Sequence, residues 1–215
     1  MFFLCFWLSR KIVLPLHLKR IRTMEQRYNR KNIDLKQLYD YCEQHGEIAC
    51  YEKGEQMEQE GEHPKWFAFV KKGYFKYMVR GMSDGCDHIA WFSFEDEVVG
   101  DYPNLLYGQL SQFTIEAVVP CTVVRISCEQ LNHFFNMNAE TMMLYTLMSN
   151  HILCQFQARY LDFHRATPLE RYKLLIQRCP GITNDLSLQE IASFLNITPN
   201  YLSTIRKEIT FSNDK

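Results

Sequence analysis

The chain has 215 residues, 47% of them hydrophobic, and a formal net charge of -1. That length holds one large domain or two small ones, and the apolar content excludes wholesale disorder. The charge excludes a globally basic protein, so any nucleic-acid-binding surface must be local. Eight cysteines are scattered without a C-x-x-C pair, so no metal site is expected. Cys86 and His88, lone potential ligands in an apolar run, read as structural. The thiols read as reduced, which suits a cytoplasmic protein. No G-x-S-x-G, P-loop, H-E-x-x-H or G-x-G-x-x-G occurs, and the chain does not read as an enzyme.

Residues 1–23 stand apart. The apolar run Phe2 to Leu8 precedes its positive charges rather than following them, and it is too short to span a bilayer. The segment reads as an over-extended start or an extension, with Met24 as the natural first residue and no membrane partner. Ile33 to His45 has one apolar side, Ile33, Leu38, Tyr41 and Cys42, and predicts a short helix ended by Gly46.

From Glu47 to Ser127 the texture changes. The runs Ile48–Tyr51, Trp66–Val70, Tyr74–Val79, His88–Phe94, Phe113–Val118 and Thr122–Ile126 alternate with glycine-bearing turns. Short strands at close spacing predict an antiparallel sandwich or roll, and their aromatic density fits a half-buried sheet. Past Cys128 the period becomes helical. Glu129 to Phe135 makes a short helix, and Ala139 to Phe163 a long one free of Pro and Gly. Leu144, Met148, Ile152, Phe156 and Tyr160 recur every fourth residue, beside Leu147, Leu153 and Leu161. We take this as one broad apolar face, suited to pairing with a second copy of itself. Thr167-Pro168 caps and opens another helix, which Pro180-Gly181 stops.

Leu186 to Glu208 is the most informative stretch. Ser187 and Glu190 have capping-box spacing. Leu188, Ile191, Ala192 and Leu195 supply an inner face, and Ala192 is small where a second helix must cross. Asn196 suits a left-handed turn position, Thr198 caps the next helix and Pro199 opens it. Leu202 and Ile205 point back to the first helix. Two short helices joined in this way predict a helix-turn-helix whose second helix enters the major groove of double-stranded DNA. Thr198, Pro199, Asn200, Tyr201, Ser203 and Thr204 then lie toward the groove, with Arg206 and Lys207 near phosphates.

In this order of elements the chain resembles the Crp/Fnr family of bacterial regulators, from about Asp34 to Ile209. The sensor marks are Lys53-Gly54-Glu55, Gly61-Glu62, Lys72-Gly73 and Val99-Gly100-Asp101. The DNA-binding marks are Thr167-Pro168-Leu169-Glu170-Arg171-Tyr172 and Ile197 to Arg206, the latter similar to Bacteroidetes-like members. The resemblance implies an α+β chain: a jelly-roll sensor over residues 24–136, a dimerisation helix over 137–164 and a small all-α helix-turn-helix domain over 165–215. It further implies a homodimer through the 139–163 helix on a two-fold DNA site, with RNA polymerase as a candidate partner.

Two departures qualify it. In the family's nucleotide binders a Gly-Glu pair takes the ribose and an Arg-Ser or Arg-Thr pair takes the phosphate. Here the corresponding pairs are Gly100-Asp101 and Ser111-Gln112, and no Lys or Arg lies between Asp101 and Arg125. A cyclic phosphate would forgo charged hydrogen bonds worth about 1.5–3 kcal/mol each. No cofactor is therefore expected, a cyclic nucleotide is disfavoured, and the effector pocket is assigned to Gly100, Asp101, Ser111 and Gln112. The second departure follows Glu208, where too little sequence remains for the expected wing, so we expect it truncated or absent. The alternative reading is a degenerate sensor or scaffold protein that does not bind DNA.

Overall fold

A computed structural model describes residues 34–213; residues 1–23, read above as an extension, lie outside them. Helix α1 (Lys36–His45) leads into eight strands: β1 (Glu47–Tyr51), β2 (Gln56–Glu58), β3 (Trp66–Lys72), β4 (Phe75–Arg80), β5 (Asp87–Ser93), β6 (Val98–Val99), β7 (Thr114–Ala117) and β8 (Cys121–Ser127). A short helix, α2 (Tyr102–Tyr107), interrupts them after β6. Then come α3 (Cys128–Phe135), α4 (Ala139–Arg165), α5 (Pro168–Arg178), α6 (Ile182–Asp185), α7 (Leu188–Leu195) and α8 (Pro199–Asn213). Among the described residues no helix is long and apolar enough to cross a membrane, and no strand follows α8.

The strands form two antiparallel four-stranded sheets, in the orders β1-β8-β3-β6 and β2-β7-β4-β5. Their inner faces meet in a core that includes Phe75, Tyr77, Ile115, Val70, Val99 and Val123. This is the antiparallel roll expected from the spacing of apolar runs and turns. Gly46, which ends α1, is required by close packing: a Cβ there would stand 2.5 Å from the carbonyl oxygens of Arg125 and Cys42. Strands β2 and β6 and helices α2 and α6 escaped the sequence reading. They are two to six residues long, too short to display a period.

The sheet containing β4 and β5 is covered on both sides. Phe75 and Tyr77 point into the roll. Tyr74 and Met78, with Ile89, Phe92 and Val118, join a second core with Tyr172, Leu175, Ile191, Leu195, Leu202 and Ile205 of the C-terminal helices. Alternate side chains of one strand thus serve two cores, as the period of two requires. This corrects the expectation of a half-buried sheet.

The long helix needs a correction as well. Leu144 and Met148 are 7% and 1% exposed and pack with Ile152 against the chain's own roll, whereas Phe156 and Tyr160 are 45% and 64% exposed. A spacing of four residues overshoots the helical turn of 3.6 by about 40° per step. The series from Leu144 to Tyr160 therefore spirals from the roll side to the opposite side and is not a single face. The outward apolar residues are Met142, Met143, Leu147, Leu153 and Tyr160, while Phe156, though 45% exposed, stacks on Trp91 of β5.

Candidate nucleic-acid interface and sensor pocket

Local sequence rules place the helix-turn-helix. Ser187 Oγ accepts from Glu190 N–H at 3.2 Å, and Glu190 Oε2 accepts from Ser187 N–H at 2.9 Å, so two otherwise unpaired amides at the start of α7 are satisfied. Asn196 ends α7 in the left-handed conformation (φ 52°). Thr198 Oγ1 accepts from Tyr201 N–H at 3.3 Å and starts α8. Ala192 is 1% exposed where the helices cross, and Leu202 and Ile205 are buried beneath α8. Two arginines complete the C-terminal end of α7: Arg159 donates to the Phe194 carbonyl at 3.2 Å and Arg171 to the Leu195 carbonyl at 2.9 Å. Cations at the last carbonyls also suit the helix dipole.

This arrangement turns the residues singled out in the sequence toward solvent. Thr198, Pro199, Asn200, Tyr201, Thr204, Arg206 and Lys207 are exposed and Ser203 is half-buried. The hydroxyls of Ser203 and Thr204 donate to the carbonyls one turn back, Pro199 and Asn200. The other side of the motif is held by the roll. Lys76 on β4 lies between Glu116 of β7, at 2.9 Å, and Glu190, at 2.7 Å. Tyr74 Oη donates to Asp185 Oδ2 at 2.8 Å, Ile89 N–H donates to Ser193 Oγ at 3.2 Å, and the rings of Phe92 and Phe194 lie 4.8 Å apart. Arg178 pairs with Glu97. Burial works to raise the Glu190 carboxyl, yet the Lys76 ammonium and the capping donors outweigh it and hold it below the usual range.

The expected effector residues are also brought together, though inward. Asp101 and Ser111 are 4% and 3% exposed, so Gly100-Asp101 is no surface turn. Gly100 has φ 129°, and a Cβ there would stand 2.6 Å from the Trp66 carbonyl oxygen. Its N–H donates to Tyr77 Oη at 3.0 Å. Asp101 Oδ2 accepts three hydrogen bonds: from Asn104 Nδ2 at 2.7 Å, Ser111 Oγ at 3.1 Å and Gln112 N–H at 3.0 Å. Through Oδ2, Asp101 thus fastens α2 to the loop before β7. Arg125 is engaged elsewhere, bonding Glu47 and Tyr51 and lying over the Trp66 ring.

Beside these residues a cleft of about 1170 Å³ runs between the roll, α4 and the C-terminal helices. Tyr77, Trp91, Phe113, Phe156, Arg159 and Phe194 are among its walls. Trp91 and Phe156 stack at 5.0 Å, and Arg159 lies over Phe194 at 3.8 Å.

Residues 49–138 match the family model of the cyclic nucleotide-binding domain. That match lies on the β-roll and covers less than half of the chain. No curated protein sequence matches the chain. Among solved structures it is similar to FixK2 from Bradyrhizobium japonicum, with 18% identity over 78% of this chain and 86% of that one and a TM-score of 0.64. It is also similar to CLP, the c-di-GMP-responsive global regulator of Xanthomonas campestris, with 13% identity over 83% and 93% and a TM-score of 0.59. A protein from Eubacterium rectale described as a transcriptional regulator of the crp/fnr family shares 11% identity over 84% and 88%, with a TM-score of 0.62. At these identities the likeness is one of fold, shared with these three proteins over 78%, 83% and 84% of the chain.

Inside the β-roll, sequence reasoning missed one carboxylate. Glu58 on β2 is 6% exposed; its Oε2 accepts from Asp101 N–H at 3.0 Å, and its Oε1 has no hydrogen-bond partner. Nothing in Gln56-Met57-Glu58 distinguishes it from a solvent-facing acid. Burial pushes its carboxyl up to about 8; the Asp101 amide opposes the shift and the Asp101 carboxylate adds to it. The folded chain thus keeps a proton that the unfolded chain releases near 4.5, so Glu58 makes stability fall as pH rises between those values. In Glu58→Gln the decline contributed by this group is expected to vanish, and chemical denaturation at pH 8 should give a gain of order 1–3 kcal/mol over the parent. Equal loss of stability with pH in both proteins would remove Glu58 from the account.

Proposed function

We propose that the chain is a homodimeric, DNA-binding transcription regulator of the Crp/Fnr type whose sensor does not take a cyclic nucleotide. The exposed face of α8 carries this reading. Its groove-side residues are open to solvent while Leu202 and Ile205 anchor it from behind. Asn200 is suited to adenine, and Arg206 and Lys207 to phosphates. The sensor half of the reading rests on chemistry: Asp101 Oδ2 already serves three internal donors, and no Lys or Arg lies between Asp101 and Arg125 to meet a phosphate. The effector region assigned to Gly100, Asp101, Ser111 and Gln112 then acts as an internal clasp beside the cleft, with any effector less acidic than a nucleotide.

In a mobility-shift assay with the protein's own upstream DNA, the parent is expected to bind with an affinity that falls as salt rises. Asn200→Ala should weaken specific binding by about 1–3 kcal/mol, and Lys207→Ala should weaken binding to all sequences alike. Absence of salt-sensitive binding would favour the scaffold alternative.

For the homodimer, Met142, Met143, Leu147, Leu153 and Tyr160 offer an exposed apolar band on α4, more than a solvated helix ordinarily displays. Leu147→Glu with Leu153→Glu is expected to yield folded monomers by light scattering. Met148→Glu would instead bury a charge in the roll and unfold it. A double variant that stays dimeric places the interface elsewhere.

A further inference from the structure

Lys76 occupies an unusual place. It stands on β4 between Tyr74 and Met78, in the set of side chains that faces the helix-turn-helix, and it is 9% exposed. Its cross-strand partner on β7 is Glu116. Its ammonium therefore binds one carboxylate of its own sheet and one, Glu190, from the C-terminal motif. Glu190 is already committed: Oε2 closes the capping box with Ser187, and Oε1 takes Lys76. A single side chain thus starts the first helix of the motif and ties that helix to the sensor.

Charge gives this tie a direction. Between Pro180 and Glu208 the motif carries three acids, Asp185, Glu190 and Glu208. The first two meet the roll: Tyr74 donates to the Asp185 carboxylate, Lys53 Nζ reaches the Asp185 carbonyl at 3.3 Å, and Lys76 pairs with Glu190; Glu208 lies exposed toward the far end of α8. Meanwhile Thr198, Asn200, Thr204, Arg206 and Lys207 stay exposed. Docking therefore covers two of the three acids that would repel a phosphate backbone and leaves open the N-terminal half of α8 that would meet it.

We propose that the docked arrangement is the DNA-competent one and that Lys76 is its positioning residue, holding the motif in the orientation that presents α8. The inference rests on the reading of α7 and α8 as a DNA-binding motif, but its structural half is testable without DNA. Replacing Lys76 by Met keeps an apolar stem and leaves Glu116 and Glu190 facing each other across a half-buried junction with no cation between them. Gln at position 190 retains the capping box while removing the charge.

The experiment is amide hydrogen exchange on the full-length parent, Lys76→Met, Glu190→Gln and the double variant, with DNA binding measured on the same samples. In Lys76→Met, protection over residues 190–195 is expected to fall at least about tenfold while β3 and β8 stay protected, and DNA affinity should fall by a similar factor. The double variant should fall to the level of Glu190→Gln and no further, because the tie is absent in both and Glu116 then faces a neutral amide rather than a second carboxylate. Unchanged protection in Lys76→Met overturns the positioning role. Lost protection with equal or tighter DNA binding overturns the competence of the docked state. Loss of protection throughout the roll would mark a general folding defect; Glu190→Gln then decides, since a motif held by Lys76 must lose protection over residues 190–195 selectively and a motif held without it must not. If the parent itself fails to bind DNA, the functional reading falls and the exchange data still decide the role of Lys76.

Discussion

The structure turns on one sheet that cannot face water on either side. Strand β4 sends Phe75 and Tyr77 into the roll and Tyr74 and Met78 outward, and β5 adds Ile89 and Phe92 to the outward set. A contiguous apolar patch of that kind needs a cover. The C-terminal helices supply it with Leu175, Ile191 and Leu195. The cover is the inward side of α5, α7 and α8, so roll and C-terminal helices share a core. The side of the motif left over is the second helix, with the residues suited to a DNA groove.

The sensor's interior follows a related logic of polar groups satisfying one another. Asp101 is held by Asn104, Ser111 and Gln112, while Tyr77 Oη meets the Gly100 amide and Ser93. A buried carboxylate with three donors is a stable structural joint. The neighbouring cleft, lined by rings from the roll and α4 and by Phe194 of α7, joins the sensor to the motif. Whatever enters it meets both.

Much of this was legible in the residues. The capping pairs Ser187–Glu190 and Thr198–Tyr201, the left-handed Asn196 and the buried Ala192 are properties of a few adjacent positions, and short-range rules reach them. The main strands were equally plain. The rest depends on partners distant in sequence. Met148 reads as an interface residue until the roll is seen to cover it, because a spacing of four residues was taken for one face. Glu58 looks like any surface acid until Asp101 closes over it. Lys76 left one trace, a lone charge inside the run Phe75-Lys76-Tyr77-Met78, although its partner Glu190 lies far along the chain.

The central claim is that roll and motif form one cooperative body built on the outward face of β4 and β5. Scanning calorimetry of the full chain tests it most directly. A single transition, with calorimetric and van't Hoff enthalpies in agreement per cooperative unit, is the expected result. Two separated transitions, one for the roll and one for the helical motif, would contradict it.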